Sequence, residues 1–143
     1  MVFDLGVQQQ VGLCSYQNLC YDIASMNSLK FAFVGDAVYT LIVREGLVNN
    51  SDAKIGELHK LCSKTVCAKA QSKAFLEIYS KLSEVEKEVA DRARNAKHNT
   101  VPKTCTLEEY RNATSFEAVL GYNFLNGNTE RIKEIISWRE NGF

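Results

Sequence analysis

Residues 29–39 read LKFAFVGDAVY, and this stretch decides the fold. Apolar side chains continue at helical spacings from it to Leu47, and Asn27 with the serine after it is typical of a helix start. The pattern predicts a largely buried helix over residues 27–47, ended by Gly46 and the Asn and Ser residues that follow. The apolar positions expected to face the core are Leu29, Phe33, Ala37, Val38, Leu41 and Ile42.

Gly35 and Asp36, in the middle of this helix, are unusual residues for such a position. Glycine costs a helix about 1 kcal/mol relative to alanine, so the close approach of another backbone best explains Gly35. A carboxylate among apolar neighbours costs several kcal/mol unless it has a partner or opens to water. Asp36 therefore pairs with an arginine, caps another helix, or lies in a functional cleft.

Residues 114–122, TSFEAVLGY, repeat this arrangement of one acid and one glycine in an apolar helix. Glu117 lies four residues before Gly121, which places both on one helix face. If the two glycines mark a close crossing of the helices, Asp36 and Glu117 meet in one polar pocket. Two carboxylates at short range repel each other, which favours a divalent cation such as Mg²⁺ between them. Such a site suits metal-assisted hydrolysis of a phosphodiester.

The remaining segments also have helical patterns, and signals for strands are nearly absent, so the sequence predicts an all-α fold. A 3.6-residue period before Leu82 indicates one long helix or two, and capping residues start the later helices. The expected segments are residues 54–79, residues 84–96 after the capping box of Ser83 and Glu86, residues from 107 to Gly127 after the box of Thr106 and Glu109, and residues 129–139 capped by Asn128.

The chain has 143 residues, is 45% hydrophobic and contains one proline, which predicts a single domain over residues 1–143. Its core is expected over about residues 28–140, and residues 1–26 form an N-terminal extension whose packing the sequence leaves open. No apolar run approaches the roughly 18 residues of a membrane span, and the N-terminus lacks the features of a signal peptide. Five cysteines, an odd number, indicate buried thiols in a reducing cytoplasm.

The net charge is zero, with 17 Lys+Arg against 17 Asp+Glu, but the charges are unevenly distributed. Residues 54–103 carry eleven basic and six acidic side chains, a net of +5, and the rest of the chain carries −5. The densest basic stretch, residues 92–103 (RARNAKHNTVPK), crosses from a helix end into a loop. A solvated helix end and contact with phosphate and sugar both explain it. Because it lacks interleaved aromatic residues, it suits the backbone of a duplex better than stacked single strands.

Residues 29–39 resemble the signature of the ribonuclease III catalytic domain, and residues 116–121 (FEAVLG) resemble its second acidic motif. The compact Mini-ribonuclease III branch of the family is more similar still, and the resemblance extends over about residues 28–126. The further segments that carry it are ELHK at 57–60, AKAQ at 68–71, RNAK at 94–97, VPK at 101–103 and YR at 110–111.

The resemblance implies a helical homodimer, with no membrane association, that cuts double-stranded RNA and depends on Mg²⁺, for which Mn²⁺ can substitute. It also implies trimming of precursor 23S ribosomal RNA in the cytoplasm, or in the plastid stroma of a plant or alga. Asp36 falls on the catalytic aspartate of the family and Glu117 on its metal-binding glutamate, so both are expected to hold the metal ion. The expected RNA contacts are Lys69, Lys73, Arg92, Arg94, Asn95, Lys97 and Lys103.

Three positions depart from the pattern of full-length ribonuclease III. Leu29, Ala32 and Thr114 stand where the larger enzymes carry further acids, so metal binding without RNA is expected to be weak. The missing acids leave open a non-catalytic, ribosome-associated RNA-binding module of the same fold. A helical adaptor that binds protein is a third hypothesis, and it predicts no salt-dependent affinity for RNA.

Overall fold

The structure, a computed structural model, describes residues 21–98 and 100–139. These residues form α-helices and one short 3₁₀ turn, without any strand among them, which confirms the predicted all-α fold. No helix in this part of the chain combines the length and the apolarity needed to cross a lipid bilayer. The helices are α1 (Ser28–Asn50), α2 (Ile55–Val66), α3 (Ala68–Ile78), α4 (Glu84–Asn95), α5 (Leu107–Leu125) and α6 (Thr129–Ser137), and the 3₁₀ turn is Tyr79–Lys81.

Side-chain caps begin α1, α4 and α5 where the sequence predicts them. The Asn27 side chain accepts a hydrogen bond from the Leu29 N–H at 2.8 Å. At the start of α4, the Ser83 N–H donates to the Glu86 carboxylate at 2.8 Å, and the Glu86 N–H donates to the Ser83 hydroxyl at 3.2 Å. An equally complete capping box begins α5. These bonds satisfy backbone N–H groups that have no partner inside their own helix.

The boundaries of the first three helices differ in part from the prediction. Helix α1 continues through Gly46 to Asn50, because Leu47 packs against the core and this contact outweighs the weak helix preference of glycine. The segment over residues 54–79 forms two helices, divided at Cys67. The backbone of Cys67 is extended (φ −65°, ψ 156°), so it ends α2 and begins α3.

Two smaller expectations are wrong. The Asn128 side chain makes no capping bond to α6, and its amide donates instead to the Asn123 side-chain oxygen at 3.4 Å. The cysteines of the described residues are not all buried, since Cys62 is buried and Cys67 is exposed. The extended backbone at Cys67 places its side chain on the surface between two helices.

Helix α5 lies at the centre of the fold and packs against α1, α3 and α4. The Phe116 ring of α5 meets the Tyr39 ring of α1 edge-on, with centroids 5.0 Å apart, and both side chains are fully buried. A second, smaller core is built around Phe31 and Val89. Helices α1 and α5 are therefore held against each other by apolar packing, which fixes the position of any group on their crossing faces.

The last residues before α1 also pack on this domain. Tyr21 joins the smaller core, and its backbone N–H and carbonyl each bond the Asn126 side chain at 2.9 Å. The end of the expected extension over residues 1–26 thus belongs to the packed structure. Residues 1–20 lie outside the described residues.

The prediction that α1 is largely buried is wrong for one side of the helix. Phe33 is 81% exposed, Leu41 is 37% exposed and Val48 is 64% exposed, and Ala37 is exposed with them. Val48 lines a shallow groove together with Ile55, which is 70% exposed at the start of α2. Only one side of α1 packs onto α5. The prediction failed because helical periodicity alone does not separate an apolar stripe that faces the core from a second apolar stripe that faces outward. These five residues are called the outer face below.

Candidate active site

Gly35 of α1 and Gly121 of α5 lie where the two helices cross. A Cβ atom on Gly35 would overlap the carbonyl oxygen of Glu117. One on Gly121 would overlap the carbonyl oxygen of Phe31. The two backbones are therefore in direct contact, and only glycine fits at either position. The inference that these glycines mark a close helix crossing is confirmed.

Asp36 and Glu117 stand beside this crossing, with their carboxyl groups within hydrogen-bonding distance of each other. Asp36 is exposed, whereas Glu117 is partly buried. Burial above all, and then the charge of Asp36 and the hydrogen bond to it, raise the pKa of Glu117 to about 9. At neutral pH the Glu117 carboxyl group of the metal-free protein is therefore protonated. A cation bound there would replace that proton, because it cancels the repulsion between the acids.

The sequence left two structural roles open for Asp36: an ion pair with an arginine, and a cap on another helix. Neither is found among the described residues. The starts of α1, α4 and α5 are capped by their own preceding residues rather than by Asp36. The ion pairs of the nearby helices join other partners: Arg92 with Glu88, Arg94 with Glu108, and Arg131 with Glu86. Asp36 therefore lies in a cleft that opens to water.

This cleft has a volume of about 620 Å³, and α1, α3, α5 and the loop after α4 line it. Asp36 and Glu117 lie on one wall, Lys97 and Thr100 line it from the loop, and Gln71 lines it from α3. A cationic side chain and an acid pair thus face one space. Such a space can bind a phosphodiester through the cation and bring it to the acids.

The expected RNA contacts do not share one surface. Lys97 lines the cleft of the acid pair. Arg92 and Asn95 line a separate open cleft along α4, where Arg92 pairs with Glu88 at 3.2 Å. The others on the surface are Lys69 and Lys73 on α3 and Lys103 in the loop.

Arg94 bonds side chains of the neighbouring helix α5. Its guanidinium donates to the side-chain oxygen of Asn112 and lies 3.8 Å from a carboxylate oxygen of Glu108. The buried Asn112 amide in turn donates to the Ser72 hydroxyl at 3.1 Å. This chain of hydrogen bonds joins α3, α4 and α5, and Arg94 is not among the residues that line the acid cleft.

Gln71, His98 and Tyr110 line the cleft without having been predicted as site residues. Gln71 precedes the buried Phe75 and Ile78 by four and seven residues, so a polar side chain on an apolar helix face was the available signal. The His98 ring stands edge-on to Tyr110, with centroids 5.0 Å apart. No local pattern distinguishes His98 from a solvated loop residue.

Comparison with known proteins assigns the chain to a family. The ribonuclease III domain matches residues 29–128, a range that contains both acids, both crossing glycines and the loop of Lys97. The chain belongs to the ribonuclease III family. Membership of this family supports ribonuclease activity, and it places the acid pair and its cleft inside the matched domain.

Individual members of the ribonuclease III family resemble the chain over most of its length. A Mini-ribonuclease 3 from Thermoanaerobacter sp. (strain X514) is 46% identical over 114 residues, which cover 80% of each chain. A Mini-ribonuclease 3 from Brevibacillus brevis is 41% identical over 120 residues, 84% of this chain and 90% of the relative. A crystal structure of a Fusobacterium nucleatum protein has a TM-score of 0.75 at 37% identity, covering 81% of this chain and 93% of that one. The resemblance to the compact branch of the family is thereby confirmed.

The acid pair of this ribonuclease III-family site fits a hard divalent cation. Carboxylate oxygens are the ligands that Mg²⁺ prefers, and the raised pKa of Glu117 marks a place where positive charge is favoured. In the described part of the chain, no third His, Cys, Asp or Glu joins the pair. Water and the RNA phosphates would complete the coordination, as Mg²⁺ commonly requires.

Proposed function

We propose that this ribonuclease III-family protein is an endonuclease that cuts double-stranded RNA with a divalent metal ion, Mg²⁺ or in its place Mn²⁺. The observation that carries the proposal is the acid pair of Asp36 and Glu117 in a cleft that Lys97 also lines. Two acids facing a phosphate repel it and weaken binding, so a protein that only binds RNA has no use for them.

Asp36 and Glu117 would hold the metal ion, whose chemistry there would be to make a bound water nucleophilic and to neutralise charge on the phosphate. The chain itself contributes position and charge. The glycine crossing fixes the two carboxyl groups relative to each other, so little reorganisation is needed when substrate arrives. Lys97, which lines the same cleft from the loop after α4, holds a phosphate of the bound strand. With two protein carboxylates alone, metal affinity without RNA is weak.

A homodimer through the outer face is part of the proposal. This face is a run of exposed apolar side chains, from Phe33 near the cleft to Ile55 at the start of α2. Exposed apolar patches of this kind mark interaction surfaces, and a two-fold dimer buries the same patch on both copies. Two copies present two clefts, so each copy cuts one strand of a duplex.

The physiological substrate in this proposal is the paired end region of precursor 23S ribosomal RNA, in the cytoplasm or in the stroma of a plastid. The resemblance to the compact branch supports this substrate. Cleavage of a duplex that carries the two precursor ends, compared with an unrelated duplex of equal length, tests it directly. Equal rates on both duplexes would contradict a preference for this substrate.

A non-catalytic RNA-binding module associated with ribosomes is the second candidate. The observation that favours it is the small number of acids, since Ala32 and Thr114 line the cleft where the larger enzymes carry carboxylates. It predicts binding of duplex RNA without cleavage under any metal condition.

The substitution Asp36→Asn distinguishes the two candidates. The wild-type protein is expected to cut duplex RNA with Mg²⁺ and to stop when a chelator is added. Asp36→Asn is expected to bind the duplex within about twofold of wild type and to cut it at least about a hundredfold more slowly, because it weakens the metal site. The exposed Asp52→Asn serves as the matched control and keeps the wild-type rate. Wild-type cleavage by Asp36→Asn would overturn the assignment, and duplex binding without any cleavage by wild type would support the module.

A further inference from the structure

Gln71 lines the active-site cleft and has a side-chain hydrogen-bond acceptor that is buried and unused. The residue is 2% exposed, and it lines the cleft that contains Asp36 and Glu117. Its side-chain N–H donates to the Val66 carbonyl at 2.9 Å, which fixes the orientation of the amide. The other atom of the amide, Oε1, is buried, and no donor from the described residues reaches it.

A buried acceptor without a partner destabilises the folded state, so proteins rarely keep one that serves nothing. Two unpartnered buried side-chain polar atoms in the described part of the chain, Gln71 Oε1 and His98 Nε2, line this one cleft. Tyr39 and Arg111 also have a buried polar atom without a hydrogen-bond partner, and neither residue lines the cleft. The concentration of unpartnered atoms at the acid pair points to a ligand that supplies the missing bonds.

The chemistry of Gln71 Oε1 restricts what that ligand offers. An amide oxygen either accepts a hydrogen bond or binds a cation, and a cation in this cleft already has the carboxylates of Asp36 and Glu117 as ligands, so we take the partner of Oε1 to be a donor. Phosphate oxygens of a phosphodiester only accept, and they are excluded. On the sugar-phosphate backbone of a nucleic acid, the group that donates is the ribose 2′-hydroxyl, which RNA has and DNA lacks.

We propose that Gln71 accepts a hydrogen bond from a ribose 2′-hydroxyl of the strand held in the cleft, and so makes the site selective for RNA. The inference rests on the proposed cleavage of double-stranded RNA and adds the group by which the strand is recognised. Gln71 acts as a specificity residue and takes no part in the bond-breaking step. Its fixed amide holds the strand with one ribose against α3.

The first test leaves the protein unchanged. Single 2′-fluoro nucleotides are placed in turn along both strands of a duplex around the cleavage site, because fluorine keeps the A-form sugar but cannot donate a hydrogen bond. At one position in each strand, we expect about a fivefold loss in kcat/KM and in duplex affinity measured in chelator, the effect of one hydrogen bond. A profile that is flat at every position overturns the proposal.

The second test combines that substrate with Gln71→Met, which keeps the volume of the side chain and removes the acceptor. We expect the variant to lose about fivefold on the all-ribose duplex and to respond to the 2′-fluoro position by less than twofold, since the two changes remove the same bond. Tyr39→Phe is the matched control, because it removes a different unpartnered buried atom outside the cleft and should keep the wild-type profile. Equal sensitivity of wild type and Gln71→Met to the 2′-fluoro position overturns the proposal.

Two further measurements identify other partners of the amide oxygen. If Gln71→Met weakens Mn²⁺ binding without RNA and leaves the 2′-fluoro profile unchanged, the oxygen bonds a metal-held water and the proposal is wrong. If the variant instead shifts the dimer to monomers with the profile unchanged, the oxygen bonds a second copy and the proposal is also wrong. Failure of the wild-type protein to cut the all-ribose duplex would overturn the proposed function itself. The outcomes above contradict only the role of Gln71, because in each of them the wild-type protein still cuts this duplex.

Discussion

At the scale of single residues, Glu117 opposes the stability of the metal-free protein. Burial and the neighbouring Asp36 raise its pKa to about 9, far above the value of an exposed glutamate. Folding therefore requires this carboxyl group to take up a proton whenever the solution pH lies between its unfolded and folded pKa values. Sites that bind charged ligands commonly keep such a cost, because the ligand removes it.

Glu117→Gln should stabilise the metal-free protein against unfolding by at least about 1 kcal/mol at pH 8. In wild type the folded state binds more protons than the unfolded state between about pH 4.5 and 9, so its stability falls as the pH rises through this window. The variant lacks this proton uptake, and its stability should change less with pH. Urea unfolding at several pH values with chelator measures the difference. Parallel pH profiles for the two proteins would contradict the raised pKa.

Lys97 and Arg94 are two of the expected RNA contacts. Replacing Lys97 should change RNA binding, whereas replacing Arg94 should change stability. Lys97→Gln should weaken duplex binding for all sequences and reduce the slope of log affinity against log salt by about one, because Lys97 lines the cleft. Arg94→Ala should leave that slope unchanged and lower the free energy of unfolding by about 1–3 kcal/mol, because the buried Asn112 loses its donor. Salt titrations of binding and urea unfolding separate the two effects. A reduced salt slope for Arg94→Ala would show that it contacts phosphate.

At the scale of the secondary-structure elements, the crossing of α1 and α5 decides where the acids stand. Local sequence makes each helix, but the missing side chains at Gly35 and Gly121 allow their backbones to touch. Packing of Tyr39 on Phe116 holds this contact from the core side. The geometry of the acid pair is thus a property of a helix pair and not of either helix alone.

Gly35→Ala should destabilise the protein by at least about 3 kcal/mol, because the new methyl group overlaps the backbone of α5. Gly56→Ala is the matched control. It lies in α2 with no atom within 4 Å of the added Cβ, so it should stabilise by about 0.5–1 kcal/mol through helix preference alone. Urea unfolding of both variants gives the comparison. Wild-type stability of Gly35→Ala would mean that the helices can separate without cost.

At the scale of the whole molecule, the outer face of α1 and α2 predicts how copies assemble. If copies pair through this face as proposed, Val48→Glu should convert the dimer to monomers, because it places a charge in the apolar patch. Leu76→Glu is the matched control, since Leu76 is a similarly exposed apolar residue on α3, away from the outer face, and its replacement should leave the dimer intact. Sedimentation velocity at one protein concentration measures both. A Val48→Glu protein that stays dimeric would move the interface to another surface.

The sequence by itself determined the helical class and the capping boxes of α4 and α5, and it predicted the pairing of Asp36 with Glu117 on the condition that Gly35 and Gly121 mark a close helix crossing. The first two depend on residues within about four positions of each other, and the pairing follows once two glycines mark one crossing. The tertiary structure decided which polar residues face the acid pair. Lys97 and Gln71 line the cleft while Arg94, three residues before Lys97, turns to Asn112, because the orientation of α4 and its loop against α5 is set by packing over distant residues. The tertiary structure also decided the exposure of Phe33 and Val48. Their apolar spacing predicts burial, but only one side of α1 packs on α5, so both side chains lie at the surface.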